Sequence, residues 1–358
     1  MQHLSQIVPR WNWLALLSWL TKLTYPSRAL PHVVRHLRRN PHGHNTLGTV
    51  VVSCALGLLY FQAQPTTAGT DPGESNSAEL LENAAKLLGD NATSGDDDLG
   101  VSGDKSERTV AANDTPKLTG KEALLESERF LAEAQHILEK TSGYSATFVK
   151  QERIGDALTD LQVIQLRLYH QPMRVFMKWE GGKDTGQRVL FADGENDGEM
   201  LVRKLTGIES RLGVIALNPS GAIALKYSRY PVTKVGLLEL VKITRQHRAK
   251  DLKVETGVTA TMLERQQFDG RECLCFVIEY AKPDASPDDK KEYRKTMIYI
   301  DSQTKLPICV RCYGWPDKVR GADPQKLDQT TLLEFYAYQK IDFEAQVKLD
   351  DFSQAKLQ

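Results

Sequence analysis

The chain has 358 residues, room for one or two domains, with 46 Lys or Arg against 46 Asp or Glu and a formal net charge of zero. That neutrality is a cancellation: residues 1–46 carry net +6 with no acidic residue, residues 64–116 carry net −8, and residues 117–358 carry net +2. A balanced total with no basic excess on the main body argues against a nucleic-acid partner.

Residues 1–46 form a basic n-region that includes a short Trp-rich apolar stretch, Trp11 to Leu23, of the kind that lies along a membrane surface. Residues 47–63, LGTVVVSCALGLLYFQA, are the single strong apolar run, with no charge between Arg39 and Asp71. Their length suits a signal-peptide h-region and is marginal for a span. Arg35, Arg38 and Arg39 precede the run and acids follow it, so the N-terminus belongs in the cytoplasm and everything after Ala63 is expected to be exported. An uncleaved signal anchor is the reading adopted, with cleavage after Thr66–Thr67–Ala68 as the alternative. Cys54 lies inside the run rather than at its end, which suits a small membrane residue better than a lipid-modified one.

Residues 64–117 are rich in Gly, Ser, Asp, Asn and Thr and read as a disordered acidic linker, with room for a short helical turn near 78–88. Its r.m.s. reach is roughly 40 Å, enough to hold a domain near a membrane yet free of it. The folded domain is placed at 118–358. It opens with a capping box, Thr119 and Glu122, and an amphipathic helix carrying Leu124, Leu131, Ala134 and Leu138. Strands are predicted over 144–153, 161–170, 173–180, 187–193 and 199–204. An irregular stretch follows over 205–229, then a second helix over 233–249. Five more strands are expected over 258–268, 272–281, 295–301, 306–314 and 330–343, with Asp301 to Lys305 as a hairpin turn. The pattern predicts an α+β fold: a curved antiparallel sheet, a half-barrel, covered by helices and preceded by a membrane segment and a linker.

Catalytic signatures are absent from this pattern. His136, His170 and His247 lie in no H-E-x-x-H spacing and beside no nucleophile motif. Gly194 to Gly198, GENDG, lacks Ca²⁺-loop spacing and suits a hairpin turn. Cys273, Cys275, Cys309 and Cys312 form a C-x-C and a C-x-x-C. In a meander their strands are second neighbours, roughly 9.5 Å apart, beyond disulfide reach. Buried free thiols are therefore expected, with a disulfide of unknown pairing left open. No metal, cofactor or enzymatic activity is predicted. The remaining candidate site is apolar: Phe148, Ile164, Leu166, Leu168, Phe176, Met177, Trp179, Leu190 and Phe191 are assigned to the lining of a cavity, against the simpler reading that they are core.

Gly143 to Arg153, GYSATFVKQER, resembles the first strand of the periplasmic lipoprotein-carrier fold, the LolA/LolB-like superfamily, and more closely domain-of-unknown-function family 1571. Pro172–Trp179, Gly186–Phe191, Glu195–Leu201, Ser228–Thr233 and Tyr299–Pro307 extend the likeness. The resemblance implies a LolA-like half-barrel whose interior accepts acyl chains. Together with the anchor read from residues 47–63, in which the chain departs from the soluble carriers, it suggests an inner-membrane-anchored domain in the periplasm of a bacterial envelope, with a lipid or lipoprotein as partner and no catalysis. The alternative is an envelope interaction or regulatory module whose barrel is filled by its own side chains. An anchor and a long tether make a freely shuttling carrier the less natural version.

Overall fold

Alternation of apolar and polar residues with a period of two dictates sheets with one or both faces buried, and the fold of the protein is dominated by one such sheet. A computed structural model describes residues 72–89, 115–281, 293–316 and 324–358. The basic n-region, the apolar run at 47–63 and most of the acidic linker lie outside the described residues. Among the described residues, no helix is long and apolar enough to cross a membrane.

In chain order the elements are α1 (Pro72–Gly89), β1 (Pro116–Thr119), α2 (Gly120–Glu139), β2 (Gly143–Ile154), β3 (Ala157–Leu158), β4 (Gln162–Tyr169), β5 (Arg174–Gly181) and β6 (Arg188–Ala192). They continue with β7 (Met200–Arg203), β8 (Val214–Leu217), α3 (Ala222–Leu225), α4 (Leu237–Asp251), β9 (Val258–Phe268), β10 (Arg271–Tyr280), β11 (Tyr293–Asp301), β12 (Pro307–Gly314), α5 (Pro324–Thr331) and β13 (Leu332–Asp342). The sheet is antiparallel and runs β1-β9-β10-β11-β12-β13-β2-β4-β5-β6-β7-β8, with β3 paired to β2. Two meanders, β9 to β13 and β2 to β8, are therefore joined where β13 pairs with β2.

Helices α2 and α4 lie over one face of the sheet, the inner one. Phe130 of α2 meets Phe276 of β10 at 6.1 Å between ring centroids. Arg245 of α4 donates to Glu128 and Gln135 of α2, which ties the two helices together. Thr119 does occupy the N-cap of α2 in extended geometry, but its side chain makes no capping hydrogen bond, so the expected capping box does not form.

Three differences from the sequence reading have clear causes. Within the expected linker the helix is longer than the short turn allowed near 78–88: α1 is an eighteen-residue helix whose Ala84 and Leu87 are buried. Leu81 packs over Gly181 and Val163 on the convex face, and the buried Arg311 donates to the carbonyl of Leu87. The supposedly irregular stretch contains β8 and α3, elements too short to show a period. The last strand begins at Leu332 because 324–331 is helical, and α4 begins at Leu237 after a single 3-10 turn over Val232–Lys234. The hairpin at Asp301 forms as its sequence requires: Asp301 Oδ1 accepts from the backbone N–H groups of Gln303 and Thr304.

Candidate functional site

Strand parity decides which side chains look inward. On β2 these are Phe148, Lys150 and Glu152. On β13, paired in register with β2, they are Tyr338, Tyr336 and Glu334. Met177 and Trp179 of β5, Val189 of β6, and Met200 and Val202 of β7 continue the same face. Helix α4 closes over it with Leu240, Ile243, Thr244 and His247. Between sheet and helix lies a cavity of about 420 Å³. Its opening is bordered by Ile223 and Tyr227, exposed by 63% and 51%, with the ammonium group of Lys204 4.6 Å from the Tyr227 ring centroid.

Helix α4 is held in place by an unusual start. Gly236 has φ 102° and ψ 163°, a conformation open essentially only to glycine. No side chain caps the helix from the N-cap position. Instead, the backbone N–H of Gly236 donates to Tyr338 Oη at 3.2 Å and that of Leu237 to Tyr144 Oη at 2.7 Å. Both tyrosines are buried on the sheet, so the wall of the cavity is fixed directly to its floor.

The two ends of the cavity differ in chemistry. Toward β5–β8 the walls are Met177, Trp179, Val189, Met200, Val202 and Leu217, with Trp179 Nε1 donating to Gln162 at 3.0 Å. Toward β2, β13 and β11 the wall is charged and buried. Glu152 Oε2 pairs with Lys150 Nζ at 3.0 Å, and Glu152 Oε1 accepts from Tyr336 Oη at 2.6 Å. Lys150 also donates to Ser228 Oγ at 3.3 Å. The neighbouring Glu334, opposite Glu152 across the strand pair, accepts on Oε1 from Arg229 Nε at 2.7 Å, Tyr293 Oη at 2.8 Å and Tyr230 Oη at 3.1 Å. Burial pushes the Glu152 carboxyl up, yet the Lys150 charge and the hydrogen bonds from Tyr336 and Lys150 outweigh it and hold the group below its ordinary range. Burial, reinforced by the carboxylate charges, raises Tyr336 and Tyr293 well above a normal phenol, so both stay protonated donors.

Of the nine apolar residues singled out from sequence, Phe148, Met177 and Trp179 line the cavity. Ile164, Leu166, Leu168 and Phe191 are buried in the main core but do not line it. Phe176 and Leu190 are a correction. They point the other way, into a separate small cluster with Leu201, Phe352 and Leu357, where the C-terminal turns cover the convex face of β5–β7. The four cysteines are buried free thiols, and β11 does lie between the strands that carry them. Among the described residues no group of His, Cys, Asp and Glu is placed to hold a metal ion. The polar end escaped the sequence reading, although K150-Q-E152 and E334-F-Y336-A-Y338 place their polar side chains at inward parity. Two stretches that carry the family resemblance, GYSATFVKQER and SRYPVT, meet there through Lys150, Glu152, Ser228, Arg229 and Tyr230.

Residues 141–358 match a family described as "Protein of unknown function (DUF1571)". The chain belongs to the DUF1571 family. The matched span contains every cavity-lining residue, whereas α1, β1 and α2 precede it. Among solved structures this DUF1571 protein is similar to Mycobacterium tuberculosis lipoprotein LppX, at 12% identity over 64% of this chain and 100% of that one, with a TM-score of 0.36. It is similar to a LolA superfamily protein from Nitrosomonas europaea, at 11% identity over 64% and 98% of the two chains, TM-score 0.26. It is also similar to the Pseudomonas aeruginosa MucA/MucB complex structure, at 14% identity over 65% and 62%, TM-score 0.35. No curated protein matches the chain.

Proposed function

We propose that this DUF1571 protein is an exported, membrane-tethered binding domain that holds an acyl chain of a lipid or lipidated protein in its half-barrel. The observation that carries this reading is the cavity of about 420 Å³ between the concave sheet and α4, with Met, Trp, Val and Leu walls at one end. That volume falls within the range of roughly 300–1,000 Å³ typical of small-molecule sites. A module whose barrel is filled by its own side chains would leave no such space. The exposed Ile223 and Tyr227 at the opening offer an apolar approach for a chain leaving a membrane. The tether and the periplasmic placement rest on the apolar run at 47–63 and the arginines before it. A binding role fits the way the titratable groups are used: Lys150, Glu152, Arg229 and Glu334 bond to one another and to tyrosines.

The test is extraction of the full chain from membranes of producing cells, followed by solvent extraction and mass spectrometry of what comes with it. A stoichiometric acyl species is expected, and it should fall in an Ala224→Phe variant, which projects a ring into the cavity from α3. Lipid recovery equal to that of an unrelated membrane-anchored protein, and unchanged by Ala224→Phe, would remove the reading.

A further inference from the structure

The charged end of the cavity carries an inference about the ligand's head. It rests on the proposed acyl-binding reading and narrows it. Glu152 and Glu334 are 2% and 3% exposed and lie directly opposite each other on β2 and β13. Two adjacent buried carboxylates repel, and they persist here because each has its own cation, Lys150 at 3.0 Å and Arg229 at 2.7 Å. Inside the wall the charges therefore cancel before any ligand arrives. At the rim the pairing continues, with Lys204 near Glu209 and Lys234 on Glu239.

The hydrogen-bonding pattern adds direction. Tyr336 gives its proton to Glu152, so its hydroxyl oxygen is left as an acceptor at the cavity wall, while Tyr293 and Tyr230 share Glu334 and bond to each other at 3.1 Å. Lys150 has three protons, which reach Glu152 and Ser228 and leave donor capacity beside the acceptors. The apolar end begins at β5 and reaches β7, which is four strands on from β2 and roughly 19 Å along the sheet at about 4.8 Å per strand. An extended ligand thus meets a greasy end and a polar, neutral, acceptor-rich end.

We infer that the ligand is a single amphiphile with an uncharged, hydroxyl-bearing headgroup, such as an acylated glycerol or sugar, seated against the Glu152–Glu334 wall with its chain toward β5–β8. A free fatty acid would add a third carboxylate with no counter-charge, and an alkylamine would add an unmatched cation. Either charge would be desolvated without a partner, whereas hydroxyls can donate to the tyrosine oxygens and accept from Lys150.

The experiment uses the full chain in phosphatidylcholine nanodiscs and three photoactivatable probes. All share one acyl chain with a mid-chain diazirine and differ only in their heads: glycerol monoester, carboxylate and primary amine. Labelling of peptides containing Met177–Trp179 and Met200–Val202 is quantified by mass spectrometry at pH 7.5. The glycerol ester is expected to label these peptides roughly tenfold more than either charged probe. Glu334→Gln removes one negative charge from the wall and should raise carboxylate labelling relative to the ester. Lys150→Gln leaves Glu152 unmatched and should raise amine labelling instead, so the inference stays testable if one variant fails to fold. Equal or stronger labelling by a charged probe in the wild type, or head preferences unmoved by both variants, overturns the headgroup inference while leaving acyl binding intact. Absence of cavity labelling by all three probes overturns the acyl-binding reading itself.

Discussion

Gly236 offers the sharpest test of how the cavity wall is held. A Cβ added there would lie 2.4 Å from Leu168 Cδ1 and 3.0 Å from Tyr144 Oη, at a backbone φ of +102°. Forcing alanine into that region costs about 1–3 kcal/mol. The contact with buried Leu168 adds about 1–3 kcal/mol of overpacking. Displacing Tyr144 also endangers the hydrogen bond from Leu237 N–H, so Gly236→Ala should cost about 2–6 kcal/mol in all. Gly155 is the matched control, since it has φ +60° and a Cβ added there would meet nothing within 4 Å. Gly155→Ala should cost only the left-handed penalty of about 1–2 kcal/mol. Urea denaturation of the compact unit 70–358, followed by far-UV circular dichroism, compares the two directly. Against a total stability of about 5–15 kcal/mol the difference is easily read. Equal losses for the two variants would refute the claim that α4 is seated by close approach to Leu168 and Tyr144.

Three further outcomes follow from the same contacts. Because Leu87 is buried under Arg311's reach, Leu87→Ala should cost about 2–5 kcal/mol, and a chain starting at residue 115 should unfold at lower urea than one starting at 70; equal midpoints would mean α1 does not pack. Glu152 is held below its ordinary pKa, so its contribution is present above about pH 4.3 and is lost as pH falls through the folded value. The wild type should therefore lose more stability than Glu152→Gln between pH 7 and pH 3, and parallel pH profiles would contradict this. Burial pushes the thiols of Cys275 and Cys309 up to about 12, so native protein should resist iodoacetamide at pH 8 and react fully once unfolded. Recovery of either cysteine in a disulfide would refute the free-thiol arrangement.

The strands were legible because a sheet with differing faces writes itself into the sequence as alternation, and β9 at 258–268 coincides with its expected span. The signal for α1 was also present: Leu80, Leu81, Ala84, Leu87 and Leu88 follow helical spacing. It was read only as a short turn near 78–88, because Glu79, Glu82, Asn83 and Lys86 lie between them and the composition on either side is rich in Gly, Ser and Asp. The misplacement of Phe176 and Leu190 was avoidable from the sequence itself. Phe176 precedes Met177 and Leu190 precedes Phe191, and consecutive strand residues cannot share a face. Nothing local could have assembled the polar wall, because Glu152 reaches Ser228 across 76 residues and Tyr336 across 184.

That separation also explains where the wall sits. β2 opens one meander and β13 closes the other, so the β2–β13 pairing is the seam that joins two meanders into a single sheet. Apolar side chains at this seam would bind equally well in neighbouring registers, whereas a two-residue slip would part Glu334 from Arg229 and Tyr293 and leave a buried charge unpaired. The carboxylates thus fix the register of the closing strand pair at the same time as they present a neutral, acceptor-rich surface to the cavity. A ligand head seated there would contact the residues that join the two halves of the sheet, and for that reason binding at this wall is expected to stabilise the fold as a whole rather than one strand of it.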